Sequence, residues 1–456
     1  MSIDAKAIAD LRSAVRGRVI APQDADYDEA RTVFYGGIER RPAAIIRVAD
    51  ADDVRRVISV AQDSGVELAV RSGGHSFAGH SLSEGGIVLD LKDMRALDID
   101  PEHRTAWAET GLTAGEYTTA AGEHGLATGF GDTGSVGLGG LTLGGGVGFL
   151  VRKFGLTIDD LLAAELVTAD GRLLHTDAKQ HPDLFWAIRG GGGNFGVATR
   201  FQFRMHRVDE FVGGPLILPA TPAVVAGFMA EAGAAPDELS TIANVMPAPP
   251  MPMVPEEHHG RLIVFAFLAY AGGVEAGERA IAPFRKLAPP LADLVRPMRY
   301  PEIYQPEEAG YHPTAVARTL FVDTIDQAAA QDIVARLEAS DAPLRVAQLR
   351  VLGGAMSRVP SGATAFAHRA NRIMVNLAAF YEGPEDRPVR EAWVVEFEAA
   401  LRQGDAGVYV NFLGDEGEAQ VRRAYPGATW DRLTAVKRRY DPTNFFHINQ
   451  NIPPGE

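Results

Sequence analysis

The chain has 456 residues, including 49 Gly and no Cys, and its 59 acidic against 44 basic side chains give a formal net charge of −15. That length exceeds one compact core and predicts two or three domains, while 46% hydrophobic and 23% charged residues match an ordinary globular protein. The acidic balance argues against nucleic acid or an anionic membrane surface as a partner. Without Cys there is no disulfide, thiolate zinc site, iron–sulfur cluster or cysteine nucleophile. The N-terminal residues mix charges every few positions and no apolar run reaches membrane-spanning length, so a cytoplasmic location is expected.

In chain order, Asp50 reads as the N-cap of a helix carrying Val54, Val57, Ile58 and Ala61 on one face, with Gly65 as its stop. Leu68–Arg71, Gly86–Leu91 and Thr105–Thr110 read as short strands, and Ala114–His124 as a helix. Residues 129–148 hold ten Gly in twenty, punctuated by Val136, Leu138, Leu141, Leu143, Val147 and Phe149. A flexible linker would lack those apolar residues, so the stretch reads as a cradle in which backbone N–H groups approach a ligand closely. Glu165–Thr176 reads as a hairpin turning at Ala169–Gly171, and Val197–Met205 as a strand. Between them, residues 190–196 hold five more Gly in seven. Residues 246–255 read as a Pro-rich surface loop. Beyond it, strands are expected at Leu262–Ala269, Thr319–Thr324, Arg345–Leu352 and Ile373–Phe380. Helices are expected at Val274–Leu287, Gln327–Ala339 and Pro388–Arg402. This alternation predicts an α+β unit with helices on one face of a largely antiparallel sheet.

Several motifs fail. Gly129–Gly134 satisfies G-x-G-x-x-G by letter, but a helix precedes it where a dinucleotide fingerprint needs a strand. Glu256–His259 could imitate a metal cluster and reads instead as solvated charge. The segment Arg71–Phe77 differs, because it leaves a strand through two Gly and presents His75. With the two Gly clusters and the amides Asn444, Asn449, Gln450 and Asn451, it suits a large planar cofactor bearing phosphates. The residues alone do not name that cofactor.

Four segments, RSGGHSFAGHS, GDTGSVGLGGLTLGGGVGFLVRKFGLTIDDLLAAELVTADG, HPDLFWAIRGGGGNFGVAT and YDPTNFFHINQNIPP, together resemble the FAD-linked oxidases related to berberine bridge enzyme, within the p-cresol methylhydroxylase/vanillyl-alcohol oxidase superfamily. The resemblance is strong over residues 40–206 and 405–454 and weak between them. It implies an α+β, two-domain fold: an FAD-binding domain from 1–206, a substrate domain of antiparallel sheet covered by helices over 207–404, and a segment 405–456 returning to the first domain. It also implies FAD joined covalently through His75 and no other residue, since Thr133 stands where bicovalent members carry Cys. A neutral imidazole nitrogen attacks the flavin methyl, and the protein then positions and tunes the cofactor.

The same resemblance places Arg71, Ser72, Gly73, Gly74, Ser76, Gly79 and His80 at the pyrophosphate and flavin. Thr133, Gly134, Ser135, Val136, Gly137, Gly139, Gly140, Gly144, Gly145 and Gly146 would hold the rest of the cradle. Gly191, Asn194, Phe195 and Val197 match the adenine end, and Asn449 and Asn451 match flavin contacts. Val136 resembles a residue that admits oxygen, and Leu141 stands where some plant members have His.

The implied activity is hydride transfer from a CH–OH or CH–NH centre of a small molecule to flavin, with reoxidation by molecular oxygen to hydrogen peroxide. The alternatives are a flavin dehydrogenase with another acceptor and a non-catalytic FAD-binding protein. Tyr409 and Asn411, on an expected C-terminal strand, are the catalytic candidates; Tyr35 matches a substrate-wall position in one bacterial member. A core tyrosine with a satisfied hydroxyl is the competing reading of Tyr409. Phe412 stands where the family segment offers a second hydroxyl, and His368 and Tyr381 are weaker candidates. No metal is expected, and a monomer or homodimer is left open.

Overall fold

The computed structural model describes residues 5–306, 310–404 and 407–455. The expected boundary at 405, with residues 1–4 and 456 of the outer segments, lies outside them. A four-stranded sheet comes first, in the order Arg18–Ile20, Ala44–Arg47, Ile87–Asp90, Leu68–Arg71, with its last three strands parallel. The parallel pairs need crossovers, and the helix Ala51–Ser64 supplies one. Asp50 caps it by accepting from Asp53 N, Gly65 ends it at φ 61°, and Val54, Val57, Ile58 and Ala61 are buried. A second, antiparallel sheet runs Leu97–Asp100, Thr105–Glu109, Val197–Arg204, Leu161–Val167, Leu173–Asp177. The hairpin turn falls where the sequence predicts it, with Gly171 at φ 75°.

The third sheet is antiparallel and eight-stranded, and along its main path runs Ala292–Asp293, Phe211–Pro219, Leu262–Tyr270, Leu239–Pro247, Arg345–Val351, Ile373–Phe380, Ala315–Val322. Strand side chains alternate between faces. Leu349, Val375 and Leu377 therefore join a core with Phe228, Ile333 and Phe397 from the covering helices Pro222–Ala234, Gln327–Ala339 and Arg387–Leu401. Gln348, Arg350, Asn376, Ala378 and Phe380 fall on the opposite face, which meets the rest of the molecule.

Three expectations need correction. The strand expected at Thr319–Thr324 runs Ala315–Val322, because its pairing with Ile373–Phe380 extends through Ala315. The Pro-rich stretch is not wholly a surface loop, since Ala248 and Val254 are buried against Ile217 and Ile263. Tyr409 and Asn411 do not lie on a strand; Val410–Phe412 form one 3-10 turn, with Phe412 N donating to Tyr409 O.

The last helices, Glu418–Ala424 and Ala428–Tyr440, place Val421, Trp430, Leu433 and Tyr440 in one core with Phe195, Phe201 and Leu166. Buried Lys437 Nζ donates to Asp441 Oδ2 and to the carbonyls of Asn194 and Phe446, tying the second Gly cluster to the C-terminal amides. Among the described residues no helix is long and apolar enough to cross a membrane, and no group of three or more His, Asp or Glu is placed to hold a metal.

Candidate functional site

The strand Leu68–Arg71 ends with Arg71 turned to Asp90 on the neighbouring strand, Nη2 to Oδ2 at 2.7 Å. The chain then crosses the first Gly cluster at very short range. A Cβ on Gly73 would stand 2.2 Å from Gly137 N, and one on Gly137 would stand 2.2 Å from Gly73 N, so only Gly permits this crossing. Ser72 locks it by donating to Thr110 O at 2.5 Å and accepting from Gly139 N at 3.2 Å. Ser135 Oγ consequently lies 2.8 Å from His75 Nε2, and the Phe34 ring stacks on the imidazole at 4.2 Å and 22°. Past the crossing, Leu138–Gly144 is a short helix despite its three Gly.

The 3-10 turn brings the C-terminal candidates against the end of that helix. Tyr409 Oη accepts from Gly146 N and from Asn411 Nδ2, both at 3.0 Å, and Asn411 Nδ2 also donates to Leu141 O at 3.0 Å. Gly144 makes room for this amide: a Cβ there would stand 1.9 Å from Asn411 Oδ1. Burial raises the Tyr409 pKa, opposed by the N–H donors and by the positive charge of Arg350. Tyr35, packed edge-on between Phe34 and Phe77, is pushed up to about 12, by burial first and then by the charge of Asp132. His80 is pushed down to about 4, by burial and then by Arg40.

Opposite stands the third sheet. Arg350 Nη2 pairs with Asp132 Oδ2 at 2.6 Å and with Gln348 Oε1 at 2.7 Å, Nη1 donates to Val147 O at 3.3 Å, and the guanidinium sits 5.1 Å over the Phe412 ring. Gln348 Nε2 is held by Asn244 Oδ1. Asn376 Oδ1 is buried and has no partner. Asp132 and Arg350 were invisible as site residues in the sequence. Asp132 is the only carboxylate lining the cavity among the described residues.

The cavity between these parts measures about 450 Å³, within the range of cofactor and ligand sites. Of the sequence-predicted residues, Tyr35, Ser72, Gly73, Gly74, His75, Ser76, His80, Thr133, Val136, Gly137, Gly139, Gly140, Asn194, Val197, Tyr409, Asn411 and Asn449 line it. Others stand behind the wall: Ser135 against His75, Arg71 on Asp90, Gly134 against Gly115, and Phe195 in the core. Gly79 lies beside Ile38, Gly144 beside Asn411, Gly145 beside Phe366, Gly146 beside Thr157, and Gly191 beside Leu433. Asn451 lies outside the lining but leaves Oδ1 buried and without a partner, as does Asn449. His368 turns away, stacked on Phe321 with Nε2 at the carbonyls of Arg423 and Ala424. A cavity running from the orphaned amide oxygen of Asn449 past two Gly-rich rims to an amide-lined sheet fits a long, hydrogen-bonding cofactor such as FAD.

Comparison with known proteins agrees with that fit. Residues 42–177 match the model of an FAD binding domain, and residues 408–453 match the model described as berberine and berberine like. The chain is 30% identical over 457 residues to (R)-6-hydroxynicotine oxidase of Paenarthrobacter nicotinovorans, covering 97% of each. It is 28% identical over 476 residues to xylooligosaccharide oxidase of Thermothelomyces thermophilus, covering 96% of this chain and 92% of the other. The crystal structure of 6-hydroxy-D-nicotine oxidase from Arthrobacter nicotinovorans superposes with a TM-score of 0.84 at 28% identity, over 96% of this chain and 98% of that one.

Proposed function

The chain belongs to the FAD-linked oxidoreductases related to berberine bridge enzyme, and from that premise we propose that it is an oxidase for a small molecule with an oxidisable CH–OH or CH–NH centre. Bound FAD supplies the hydride acceptor. The chain's own residues bind it, orient the substrate and manage the proton. One observation carries the reading. A single cavity is bounded on one side by His75 and the Gly crossing, and on the other by Gln348, Arg350, Asn376 and Phe380.

Within this reading His75 is the sole covalent anchor for FAD. The residues that line the cavity from Ser72 to His80 and from Thr133 to Gly140 hold it, as do Asn194, Val197 and Asn449. Residues 1–206 with 405–456 form the FAD-binding unit, supported by the shared core of Trp430, Leu433 and Phe195. Residues 207–404 supply the substrate face. Tyr35, Tyr409 and Asn411 meet the substrate, and Val136 borders the path of oxygen, which leaves as hydrogen peroxide.

The test is anaerobic flavin bleaching with a panel of sugars, secondary alcohols and cyclic amines that includes xylobiose and 6-hydroxynicotine, followed by admission of oxygen and a peroxide assay. Bleaching with stoichiometric peroxide is the expected result. Bleaching without peroxide would make the protein a dehydrogenase, and no bleaching by any panel member would argue for a binding role. In parallel, acid precipitation should leave the flavin on the parent protein and release it from His75→Ala.

A further inference from the structure

We propose that Asn376 selects the substrate, by hydrogen-bonding a neutral ring through an edge that carries a donor beside an acceptor, and that Ala315, Ala317 and Ala378 leave the space for that ring. The proposal rests on the reading of this cavity as the substrate site, and it names the class of molecule the site takes.

The third sheet puts Thr319, Asn376 and Gln348 in one row across neighbouring strands. The two flanking side chains are engaged within the protein. Thr319 Oγ1 donates to Val375 O at 3.2 Å. Gln348 Nε2 donates to Asn244 Oδ1 at 3.0 Å, and its Oε1 accepts from Arg350 Nη2 at 2.7 Å. Between them Asn376 lines the cavity, and among the described residues its side-chain amide has no hydrogen-bond partner, although Oδ1 is buried. A buried amide left unpaired costs stability, so it calls for a partner from outside the chain. A carboxamide presents an acceptor beside donors in one plane. Turned either way, it complements a neighbouring donor and acceptor on a ligand, such as two adjacent hydroxyls on a ring.

The charges nearby are already paired. Asp132 is the cavity's only carboxylate among the described residues, and it lies 2.6 Å from the Arg350 guanidinium. An ammonium group entering the cavity would meet Arg350 as well as Asp132, so no unshared carboxylate offsets its burial. A neutral edge meets no such opposition.

Beside the amide the sheet changes character. Ala378 lies two residues on from Asn376, roughly 7 Å along the strand, and on the same face. Ala317 is its partner on the next strand, Ala315 pairs with Phe380, and all of them line the cavity. The alanine methyl groups leave depth that larger side chains would fill. The ring of a small cyclic substrate occupies that depth, with its polar edge at Asn376.

The experiment uses the flavin-loaded full chain at pH 7 without oxygen, with trans-cyclohexane-1,2-diol, cyclohexanol and trans-2-aminocyclohexanol as probes. Half-saturation of the change in flavin absorption gives the affinity, and bleaching reports hydride transfer. The parent should hold the diol about tenfold more tightly than cyclohexanol, the effect of one hydrogen bond, and the amino alcohol no better than cyclohexanol. Asn376→Leu should hold diol and cyclohexanol alike, and should melt at or above the parent's temperature because it removes an unpaired polar group. Gln348→Leu should melt lower, since Asn244 and Arg350 each lose a partner. Asn376→Asp adds an unpaired carboxylate and should turn the preference to the amino alcohol. Ala378→Leu should weaken the diol and cyclohexanol together. Equal affinities in the parent, a diol preference that survives in Asn376→Leu, or a lower melting temperature for that variant would each overturn the proposal. Affinity and bleaching keep this separate from the oxidase reading. If the diol binds with this dependence on Asn376 while no probe or panel member bleaches the flavin, the selection stands and the oxidase reading falls. If panel members bleach the parent and Asn376→Leu equally, the oxidase reading stands and the selection falls.

Discussion

Replacing Tyr409 by Phe removes one oxygen and separates two roles that the site combines. That oxygen accepts from Gly146 N and from Asn411 Nδ2, each at 3.0 Å. Asn411 Nδ2 keeps its bond to Leu141 O in the variant, so the unmet demand falls on the buried N–H of Gly146. Leaving one buried donor without an acceptor costs about 1–3 kcal/mol. For a unit of about 250 residues the melting temperature should fall by roughly 2–6 °C. Thermal unfolding of the flavin-loaded variant beside the parent measures it. Catalysis gives a second readout. A general base is worth about 10²–10⁴-fold in rate, and at Tyr409 the N–H donors and Arg350 oppose, without outweighing, the rise in pKa that burial imposes. Anaerobic flavin reduction by whichever panel alcohol bleaches the parent should therefore slow by at least the lower figure, with reoxidation unchanged. A lowered melting temperature with parent-like reduction would make Tyr409 a core tyrosine whose hydroxyl serves the fold. An unchanged melting temperature would refute the hydrogen-bond accounting itself.

Val136→Ile adds one methylene to a side chain on the cavity wall; overpacking of about 1–3 kcal/mol is tolerable, and stopped-flow mixing with oxygen should show slower reoxidation with anaerobic reduction nearly intact. Asp132→Asn keeps an acceptor for Arg350 but removes the cavity's carboxylate, so reduction by an alcohol should slow while the covalent flavin content stays at the parent level. His80, pushed down to about 4, is neutral in the fold while the unfolded chain protonates near 6.5. Its contribution is present above pH 6.5 and is lost as the pH falls towards 4, amounting to about 3 kcal/mol. Unfolding curves at pH 7 and pH 4.5 should show a smaller acid loss in His80→Gln than in the parent.

The parts of the fold that the sequence makes legible are those written in local pattern. Asp50, the apolar face of Val54 to Ala61 and Gly65 mark a helix by its caps and its period, and it runs Ala51–Ser64. Ile373–Phe380 and Gln327–Ala339 likewise fall where alternation and helical spacing put them. The helix Leu138–Gly144 is illegible, because three Gly in seven residues oppose helix formation and tertiary packing of Leu138, Leu141 and Leu143 overrides them. The turn at Val410–Phe412 is misread for a related reason. Val408, Tyr409 and Val410 have the composition of a strand, but Val408 and Val410 pack into one core and Tyr409 into another rather than pairing in a ladder.

The site is legible where one segment carries several of its residues, as the His75 loop and the Gly cradle do, and illegible where it is assembled across the chain. Asp132 and Arg350 lie 218 positions apart, and neither carries a local mark of its partner. A weaker signal does exist. Gln348 and Arg350 share one face of their strand, Asn376 is paired with Gln348 on the next, and the opposite face is apolar under the helices. Alternation establishes that this second face is polar, but polarity alone suits water as well as a ligand. What decides is the other wall. Because the Gly73–Gly137 crossing brings His75 opposite that face, its amides and guanidinium meet a shared cavity. The Arg350–Asp132 pair then sets the guanidinium over the Phe412 ring, with its carboxylate partner on the cavity wall.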